Sequence, residues 1–357
     1  MAEDFLRDAV KGIKDYVPGQ TPKEPGVIKL ASNENPFGPS PKALEAITKE
    51  GKNLQIYPDQ KSLFLREALG KKLNVGEDAI IIGNGSDEIM QIAAATFLKP
   101  GEEVIIPENT FSLYEFVTRI FDGRLVFVPL KDQAQDLEAM AKAVTPKTKM
   151  IFICNPHNPT GTMISAKDLE DFLNKVPNNI LIIIDEAYME FAESKEFPDS
   201  LKYVKNRKNV LVLRTFSKFY GLAGLRVGYG VAKAELTKYM FRLKPPFNVN
   251  RLAQAGATAA LDDKAFLDKT YKNNLEGKKY LYAELDKLGL KHEKTEANFI
   301  YIDLKRSADQ LFLDLMKQRV IIRPLTSFGL PEAIRVSIGT KAQNEKFVTA
   351  LTGLLKA

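Results

Sequence analysis

The chain has 357 residues, of which 45% are hydrophobic and 27% are charged. These proportions are typical of a globular protein and argue against the disordered, collagen-like and membrane classes, and the length predicts roughly two domains. The net charge of +6, from 51 basic and 45 acidic residues, is mild and comes without a basic stripe, which argues against nucleic-acid binding.

Signals for another compartment are not evident. The first ten residues, MAEDFLRDAV, hold two early acidic residues and no apolar stretch, so we expect no signal peptide. No run reaches about 18 apolar residues, so we expect no membrane span. The single cysteine cannot form an internal disulfide, which fits a reducing environment. We therefore expect a cytoplasmic protein.

The first 240 residues predict an arm followed by an α/β unit. Residues 1–40 are irregular and rich in proline, which favours an extended arm lying on another part of the protein. Short apolar runs then alternate with helical periods, for example at 86–98 and 166–175. The predicted strands are Ala79–Gly83, Glu103–Ile106, Leu125–Pro129, Met150–Cys154, Ile180–Ile184, Val210–Leu213 and Leu225–Gly230. This alternation predicts a mostly parallel central sheet with flanking helices.

The rest of the chain predicts a smaller α+β domain. Its predicted elements are a helical tract at 251–288, a strand at Ala297–Leu304, a helix at 307–318, a strand-like segment at Val320–Arg323, a strand at Ala333–Ile338 and a closing helix. We therefore predict an arm at 1–40, a large domain at 41–250 and a small domain at 251–357.

Several common catalytic motifs are absent from the sequence. The sequence has no G-x-x-x-x-G-K-[ST] phosphate-binding loop and no G-x-S-x-G nucleophile motif. Gly83 and Gly85 match the first two glycines of a dinucleotide-binding motif, but Glu88 stands where the third glycine is required. The two histidines are His157 and His292. Cys154 is close to His157 in the sequence, but two candidate ligands are too few for a zinc site. We expect no metal.

An anion site is predicted where the first strand of the central sheet ends. Residues 79–90 read AIIIGNGSDEIM, in which Ser86 is placed to cap a helix with Asp87 and Glu88 in its first turn. The backbone N–H groups around Gly85 to Asp87 would then face an anion. A capped turn without a ligand is the alternative.

Two further segments place polar groups at strand ends. Asp185 closes the apolar run in LIIIDEAY at 181–188, and Asn158 follows the strand in CNPHNPTG at 154–161. Ligands of open α/β sheets bind at the carboxyl ends of the strands. A carboxylate that merely caps a loop is the alternative for Asp185.

A lysine follows the next predicted strand. Residues 213–230 read LRTFSKFYGLAGLRVGYG and place Lys218 between Ser217 and Arg226. A buried lysine loses its proton more easily and becomes an amine nucleophile, whereas an ordinary lysine lies on the surface. An anion cradle, a carboxylate, an amide, a lysine and an arginine at one sheet edge together fit pyridoxal 5′-phosphate, which presents a phosphate, an aldehyde and a ring nitrogen.

These motifs, N-P-T-G, D-E-A-Y and S-K followed by G-L-A-G-L-R-x-G, resemble those of pyridoxal-phosphate enzymes of the aspartate-aminotransferase fold. Further segments resemble the histidinol-phosphate aminotransferase family: SNENPFGPSP at 32–41, IYPD at 56–59, GNGSDE at 83–88, PPFNVNRLAQ at 245–254, IIRPL at 321–325 and IRVSIGT at 334–340. The resemblance implies a homodimer that transfers an amino group between L-histidinol phosphate and 2-oxoglutarate, forming glutamate, in histidine biosynthesis.

The resemblance also implies roles in cofactor binding. Lys218 would hold the cofactor covalently and move the proton, Asp185 would pair with the ring nitrogen, and Phe111 would stack on the ring. Tyr188 and Asn158 would hydrogen-bond the ring oxygen. The residues implied around the cofactor phosphate are Gly85, Ser86, Asp87, Ser217 and Arg226.

Other implied roles concern the partner subunit and the substrate. Tyr57 would reach the cofactor phosphate of the other subunit, and the arm would join the small domain to that partner. Arg323 would bind the substrate phosphate and Arg335 the α-carboxylate, with Tyr16 and Asn33 of the arm closing over the same space. Without the resemblance, a surface or interface ion pair is the simpler interpretation of either arginine.

Other functions on the same fold stay open. A threonine-phosphate decarboxylase also uses pyridoxal phosphate and a phosphorylated amine, and an aromatic amino-acid aminotransferase is a second alternative. A pyridoxal-phosphate-binding regulator would need an added DNA-binding domain, for which the arm of 40 residues leaves no room.

Overall fold

The computed structural model describes residues 5–13, 20, 25–207 and 209–356. Its helices are α1 (Asp8–Lys11), α2 (Pro41–Glu50), α3 (Leu63–Leu73), α4 (Gly85–Phe97), α5 (Leu113–Ile120), α6 (Leu137–Lys142), α7 (Ala166–Lys175), α8 (Leu201–Asn206), α9 (Ala234–Leu243), α10 (Arg251–Ala260), α11 (Lys264–Lys287), α12 (Ala308–Lys317) and α13 (Lys341–Lys356). Its strands are β1 (Ile28–Lys29), β2 (Ile80–Gly83), β3 (Glu103–Pro107), β4 (Arg124–Val128), β5 (Leu130–Lys131), β6 (Ala134–Gln135), β7 (Thr148–Cys154), β8 (Leu181–Asp185), β9 (Val210–Thr215), β10 (Gly228–Ala232), β11 (Lys291–His292), β12 (Phe299–Asp303), β13 (Val320–Ile321), β14 (Arg323–Pro324) and β15 (Ala333–Ser337).

A central sheet of seven strands organises the described chain, in the order β2-β10-β9-β8-β7-β3-β4. Strand β10 runs antiparallel to both of its neighbours, and the remaining pairs are parallel. Strands β2, β8, β9 and β10 are buried along their whole length, as expected for strands covered on both faces. The predicted α/β fold with a mostly parallel sheet is confirmed, although the sequence did not predict the reversal of β10.

Two hydrophobic layers cover the faces of this sheet. Ile182 and Ile184 of β8 pack in one layer, which also holds side chains of α3, α7 and α10. Leu181 and Ile183 pack in the other, with side chains of α4, α5 and α9. Because alternate strand residues point to opposite faces, the uninterrupted apolar run of β8 serves both layers.

Helix α7 shows why a local pattern predicts its element well. Ser165 caps the helix by accepting a hydrogen bond from the N–H of Asp168, which satisfies one of the unpaired donors of the first turn. Leu169, Phe172 and Leu173 recur at helical spacing and are buried. The observed bounds, Ala166–Lys175, equal the predicted ones.

A second sheet lies in the carboxyl-terminal part and is antiparallel throughout, in the order β11-β12-β15-β14. The predicted strand at 320–323 is divided into β13 and β14 because its halves have different partners: Val320 pairs with Ile28 of the arm, and Arg323 pairs with Arg335. The arm is therefore attached to this carboxyl-terminal region.

The predicted helical tract at 251–288 is two helices. Asp263 accepts a hydrogen bond from the N–H of Phe266 and starts α11, while α10 packs against α2 and α3. The division into an arm, a large domain and a small domain with boundaries at 40 and 250 stays a prediction. Among the described residues, no helix combines the length and apolarity needed to span a bilayer.

Candidate active site

One edge of the central sheet collects most of the sequence-predicted site residues. Strands β2, β7, β8 and β9 end at this edge, and β10 begins there. Gly83 and Thr215 both lie opposite Gly228, the first residue of β10. Asp185, the last residue of β8, lies beside Leu213 of β9 and Cys154 of β7. The sequence-predicted residues at this edge or just beyond it are Gly85, Ser86, Asp87, Asn158, Asp185, Tyr188, Ser217, Lys218 and Arg226.

The start of α4 forms an anion cradle, but its cap differs from the prediction. Helix α4 begins at Gly85, so Asn84 holds the N-cap position and Ser86 lies within the first turn. The predicted capping by Ser86 is therefore wrong. The Asn84 side chain does not cap the helix, and the Glu88 carboxylate accepts a hydrogen bond from the backbone N–H of Asn84 at 2.7 Å. The cradle is the helix N-terminus, whose partial positive charge favours an anion.

Arg226 lies directly over this helix start. Gly85 has φ +75°, which favours glycine, and a Cβ atom there would lie 2.8 Å from Arg226 Nη2, so a side chain would displace the guanidinium. Arg226 Nη2 donates to Asp87 Oδ2 at 3.2 Å. Burial raises the pKa of Asp87, and the charge of Arg226 opposes the rise. Ser217 adds a hydroxyl, whose oxygen accepts a hydrogen bond from Thr215 at 2.9 Å.

Asp185 lies at the end of β8 and is paired with a residue that the sequence analysis missed. The phenol of Tyr114 donates to Asp185 Oδ2 at 2.7 Å, and both side chains are buried. Burial raises the pKa of Asp185 to about 6, and the hydrogen bond from Tyr114 opposes the rise. Burial also raises the pKa of Tyr114 well above its usual value, so the phenol keeps the proton that it donates. No local sequence pattern signals this pair, because Tyr114 and Asp185 lie 71 positions apart.

Lys218 projects from the loop after β9 towards the arm. Its Nζ donates to the carbonyl oxygen of Ser32 at 2.9 Å and lies 5.9 Å from the centroid of the Tyr188 ring. Burial and, after it, the positive charge of Arg335 lower the pKa of Lys218 to about 8. A lysine in this state is a better nucleophile and proton acceptor than a surface lysine.

The arm and the carboxyl-terminal sheet complete the site. Asn33 donates from Nδ2 to the Tyr188 hydroxyl at 2.9 Å, and its backbone N–H donates to Ser337 Oγ at 2.8 Å. Arg335 donates from Nη1 to Asn158 Oδ1 and from Nη2 to the carbonyl oxygen of Ala31. These bonds join residues that are far apart in sequence, and Asn33 is 1% exposed.

Two arginines lie side by side on this sheet. Arg323 of β14 and Arg335 of β15 are directly opposite each other in the antiparallel register, so both side chains point to the same face. They are 7% and 6% exposed, which argues against a surface ion pair. Arg323 donates from Nη2 to Ser327 Oγ at 3.1 Å.

The three remaining sequence-predicted residues differ in where they lie, and Phe111 follows a strand that ends at the same sheet edge. Phe111 follows β3 and meets Tyr114 edge to face, with ring centroids 5.8 Å apart. Tyr57 is 76% exposed and stacks on Phe247, with centroids 4.7 Å apart, so it faces outward from its own chain. Tyr16 lies outside the described residues.

The residues at the central sheet edge fit pyridoxal phosphate by the chemistry of their donors. The anion cradle with Ser217 and Arg226 suits a phosphate, the carboxylate of Asp185 suits a protonated ring nitrogen, and the amine of Lys218 suits an aldehyde.

Comparison with known proteins gives consistent matches over the full chain. The family model "Aminotransferase class I and II" matches residues 25–351. A histidinol-phosphate aminotransferase from Moorella thermoacetica is 47% identical over 98% of this chain and 92% of its own length, and histidinol-phosphate aminotransferase 2 from Carboxydothermus hydrogenoformans is 44% identical over 99% of each chain. The crystal structure of histidinol-phosphate aminotransferase from Sinorhizobium meliloti in complex with pyridoxal-5′-phosphate has a TM-score of 0.90 at 25% identity, covering 99% of this chain and 98% of that one.

Proposed function

The chain belongs to the class I and II aminotransferase family, and we propose that it is a pyridoxal-phosphate enzyme transferring an amino group between L-histidinol phosphate and 2-oxoglutarate. The products are imidazole acetol phosphate and L-glutamate, and the reaction is a step of histidine biosynthesis. Curated relatives named histidinol-phosphate aminotransferase share 39–47% identity over nearly the full chain. The observation in the structure that best supports the proposal is the convergence of Lys218, Asp185 and the anion cradle at one sheet edge.

When bound, pyridoxal phosphate supplies an electron sink next to the amino group that is transferred. Asp185 would accept a hydrogen bond from the ring nitrogen and keep that nitrogen protonated, because a nearby carboxylate favours the charged form of its partner. Tyr114 holds the carboxylate in place. The start of α4, Ser217 and Arg226 would hold the phosphate, and Tyr188 and Asn158 would bind the ring oxygen.

Lys218 has two roles in this proposal. Its Nζ binds the cofactor aldehyde between reactions, and it accepts the proton from the substrate carbon that bears the amino group. Both roles require a neutral amine near neutral pH, and burial together with Arg335 lowers the pKa of Lys218 to about 8. Lys218 would hold the aldehyde between reactions and would serve as the base when its amine is free.

The arginine pair accounts for two substrates that differ in their anions. Histidinol phosphate has a phosphate and no carboxylate, whereas glutamate has two carboxylates. Guanidinium groups form planar, two-pronged hydrogen bonds to either anion. We assign the substrate phosphate to Arg323 and the α-carboxylate of glutamate to Arg335, with Asn33 beside them.

A homodimer with shared sites is part of the proposal. Exposed apolar side chains lie close to Tyr57 in the sequence: Leu54 is 64%, Ile56 is 52% and Phe64 is 77% exposed. The Phe247 ring that stacks on Tyr57 is 43% exposed. Such a patch is typical of a protein interface. A second copy of the chain would cover it and receive Tyr57 at its cofactor phosphate.

Mixing two inactive variants tests the shared sites. A heterodimer of a Tyr57→Phe chain and a Lys218→Ala chain holds one site with both residues intact, so activity should return after subunit exchange. If labelled subunits are seen to exchange and no activity returns, Tyr57 does not serve the other subunit's site.

The activity itself is tested directly. The purified protein with pyridoxal phosphate, histidinol phosphate and 2-oxoglutarate should form glutamate, and Lys218→Ala should not. Release of carbon dioxide from threonine phosphate without glutamate formation would instead indicate the decarboxylase, and turnover restricted to aromatic amino acids would indicate the second alternative.

A further inference from the structure

One side chain of the central sheet region holds a turn of the carboxyl-terminal sheet. Asn109 lies in the loop between β3 and α5, two residues before Phe111. Its Nδ2 donates to the carbonyl oxygen of Phe328 at 2.6 Å. Phe328 ends the short 3-10 helix Thr326–Phe328, which follows β14.

The same turn holds Arg323. Ser327 Oγ accepts a hydrogen bond from Arg323 Nη2 at 3.1 Å, and the guanidinium carbon lies 5.8 Å from the centroid of the Phe328 ring. Two successive residues of the turn therefore contact the guanidinium, and the carbonyl of the second is the acceptor for Asn109. A shift of this turn away from the β3–α5 loop would shift the contacts of Arg323 with it.

The backbone on both sides is shaped for this bond. Asn109 has φ +47°, a conformation that asparagine adopts more readily than most residues. Gly329 has φ +80°, and a Cβ atom there would come within 2.9 Å of Asn109 Nδ2, so a glycine lets the amide approach. Both segments line one cavity of about 290 Å³, whose wall includes Phe111, Ser327 and Phe328.

We propose that Asn109 is a positioning residue that holds the Arg323 turn against the loop of Phe111 and so sets the affinity for the phosphorylated substrate. The inference rests on the proposed function, since it takes Arg323 as the phosphate ligand. Asn109 acts through the turn and does not contact the reacting atoms. The hydrogen bond from Asn109 to Phe328 stabilises the substrate complex and the transition state equally, so its loss raises KM and leaves kcat unchanged.

The substitution Asn109→Asp tests this with little change of shape, because aspartate tolerates the same φ but presents an acceptor to the Phe328 carbonyl. KM for histidinol phosphate should rise about 2- to 12-fold, the range of one neutral hydrogen bond, while kcat and the KM for dephosphorylated histidinol stay close to those of the unmodified enzyme. Asn74→Asp is the matched control, because Asn74 has φ +53° at the end of α3 and is exposed. It should change neither constant.

Hydrogen–deuterium exchange gives a readout without substrate. Backbone amides at 326–330 should exchange faster in Asn109→Asp than in the unmodified protein or in Asn74→Asp. If Asn109→Asp does not fold, Asn109→Gly keeps the backbone conformation and removes only the amide. Unchanged exchange at 326–330, or a loss of kcat at constant KM, overturns the positioning role. Faster exchange in a protein that never converts histidinol phosphate supports the link to the turn and rejects the proposed function.

Discussion

The pKa of Lys218 makes a prediction that does not depend on the substrate. Burial, and after it the positive charge of Arg335, lowers the pKa of the Lys218 amine to about 8. At pH 7.5 about one quarter of Lys218 is then neutral, against about one in a thousand for an ordinary lysine with a pKa near 10.4, a difference of ~200-fold. Removing the charge with Arg335→Leu should raise the pKa and reduce this fraction.

Competitive labelling of the apo protein measures this quantity. A trace of acetic anhydride, added across pH 6 to 11 and followed by peptide mapping, should give Lys218 a reactivity midpoint near pH 8. Lys142 is an internal reference, since it is exposed and its ion pair with Glu138 raises its pKa. In Arg335→Leu the midpoint should move to higher pH, and in Arg335→Lys, which keeps a positive charge, it should move less.

The same measurement identifies where the reasoning would fail. A midpoint for Lys218 at or above that of Lys142 would show that neither burial nor Arg335 activates the amine. An unchanged midpoint in Arg335→Leu would show that Arg335 does not lower the pKa of Lys218. Borohydride reduction of the protein with bound cofactor should in parallel attach the label to Lys218, and a label on another lysine would refute the assignment.

Three further predictions concern other residues of the candidate site. Tyr114→Phe removes the donor to Asp185 and should raise the pKa of that carboxyl above about 6. In equilibrium dialysis, cofactor affinity should fall by roughly 10- to 150-fold, the range of a hydrogen bond to a charged group. The loss should be largest towards acidic pH. Gly85→Ala places a methyl group against Arg226 and should weaken pyridoxal phosphate but not pyridoxal; equal losses for both ligands would contradict a phosphate cradle. Arg323→Leu should raise KM for histidinol phosphate by roughly 10- to 150-fold relative to histidinol, and parallel losses would show that Arg323 does not bind the phosphate.

Burial of Asp185 also links pH to the stability of the apo protein. Its carboxyl has a pKa raised to about 6 in the folded chain, so the folded state binds a proton more tightly than the unfolded one. Burying the charged carboxylate lowers the free energy of unfolding. This destabilisation is absent below the ordinary aspartate pKa near 4 and grows as pH rises to about 6. This part of the stability is therefore lost with rising pH, and Asp185→Asn should remove that dependence from urea unfolding midpoints.

The sequence by itself determined the elements and the edge at which the chemistry gathers. An apolar run such as that of β8 is buried on both faces wherever it lies in a sheet, so its pattern predicts the strand without knowledge of its neighbours. Parallel strands end at one edge, which is why Asp185, Asn158 and Lys218 were predicted to lie together. The cytoplasmic location and the domain boundaries were also read from composition and pattern, and they stay predictions.

The tertiary structure decided the pairings between distant segments. Neither the reversal of β10 nor the register that sets Arg323 beside Arg335 is visible in a local pattern, because periodicity reports the burial of an element and not its partner. The bond from Tyr114 to Asp185 spans 71 positions and that from Asn109 to Phe328 spans 219. Such contacts depend on how helices and loops pack over the sheet edge, and a single sequence carries no separate signal for them.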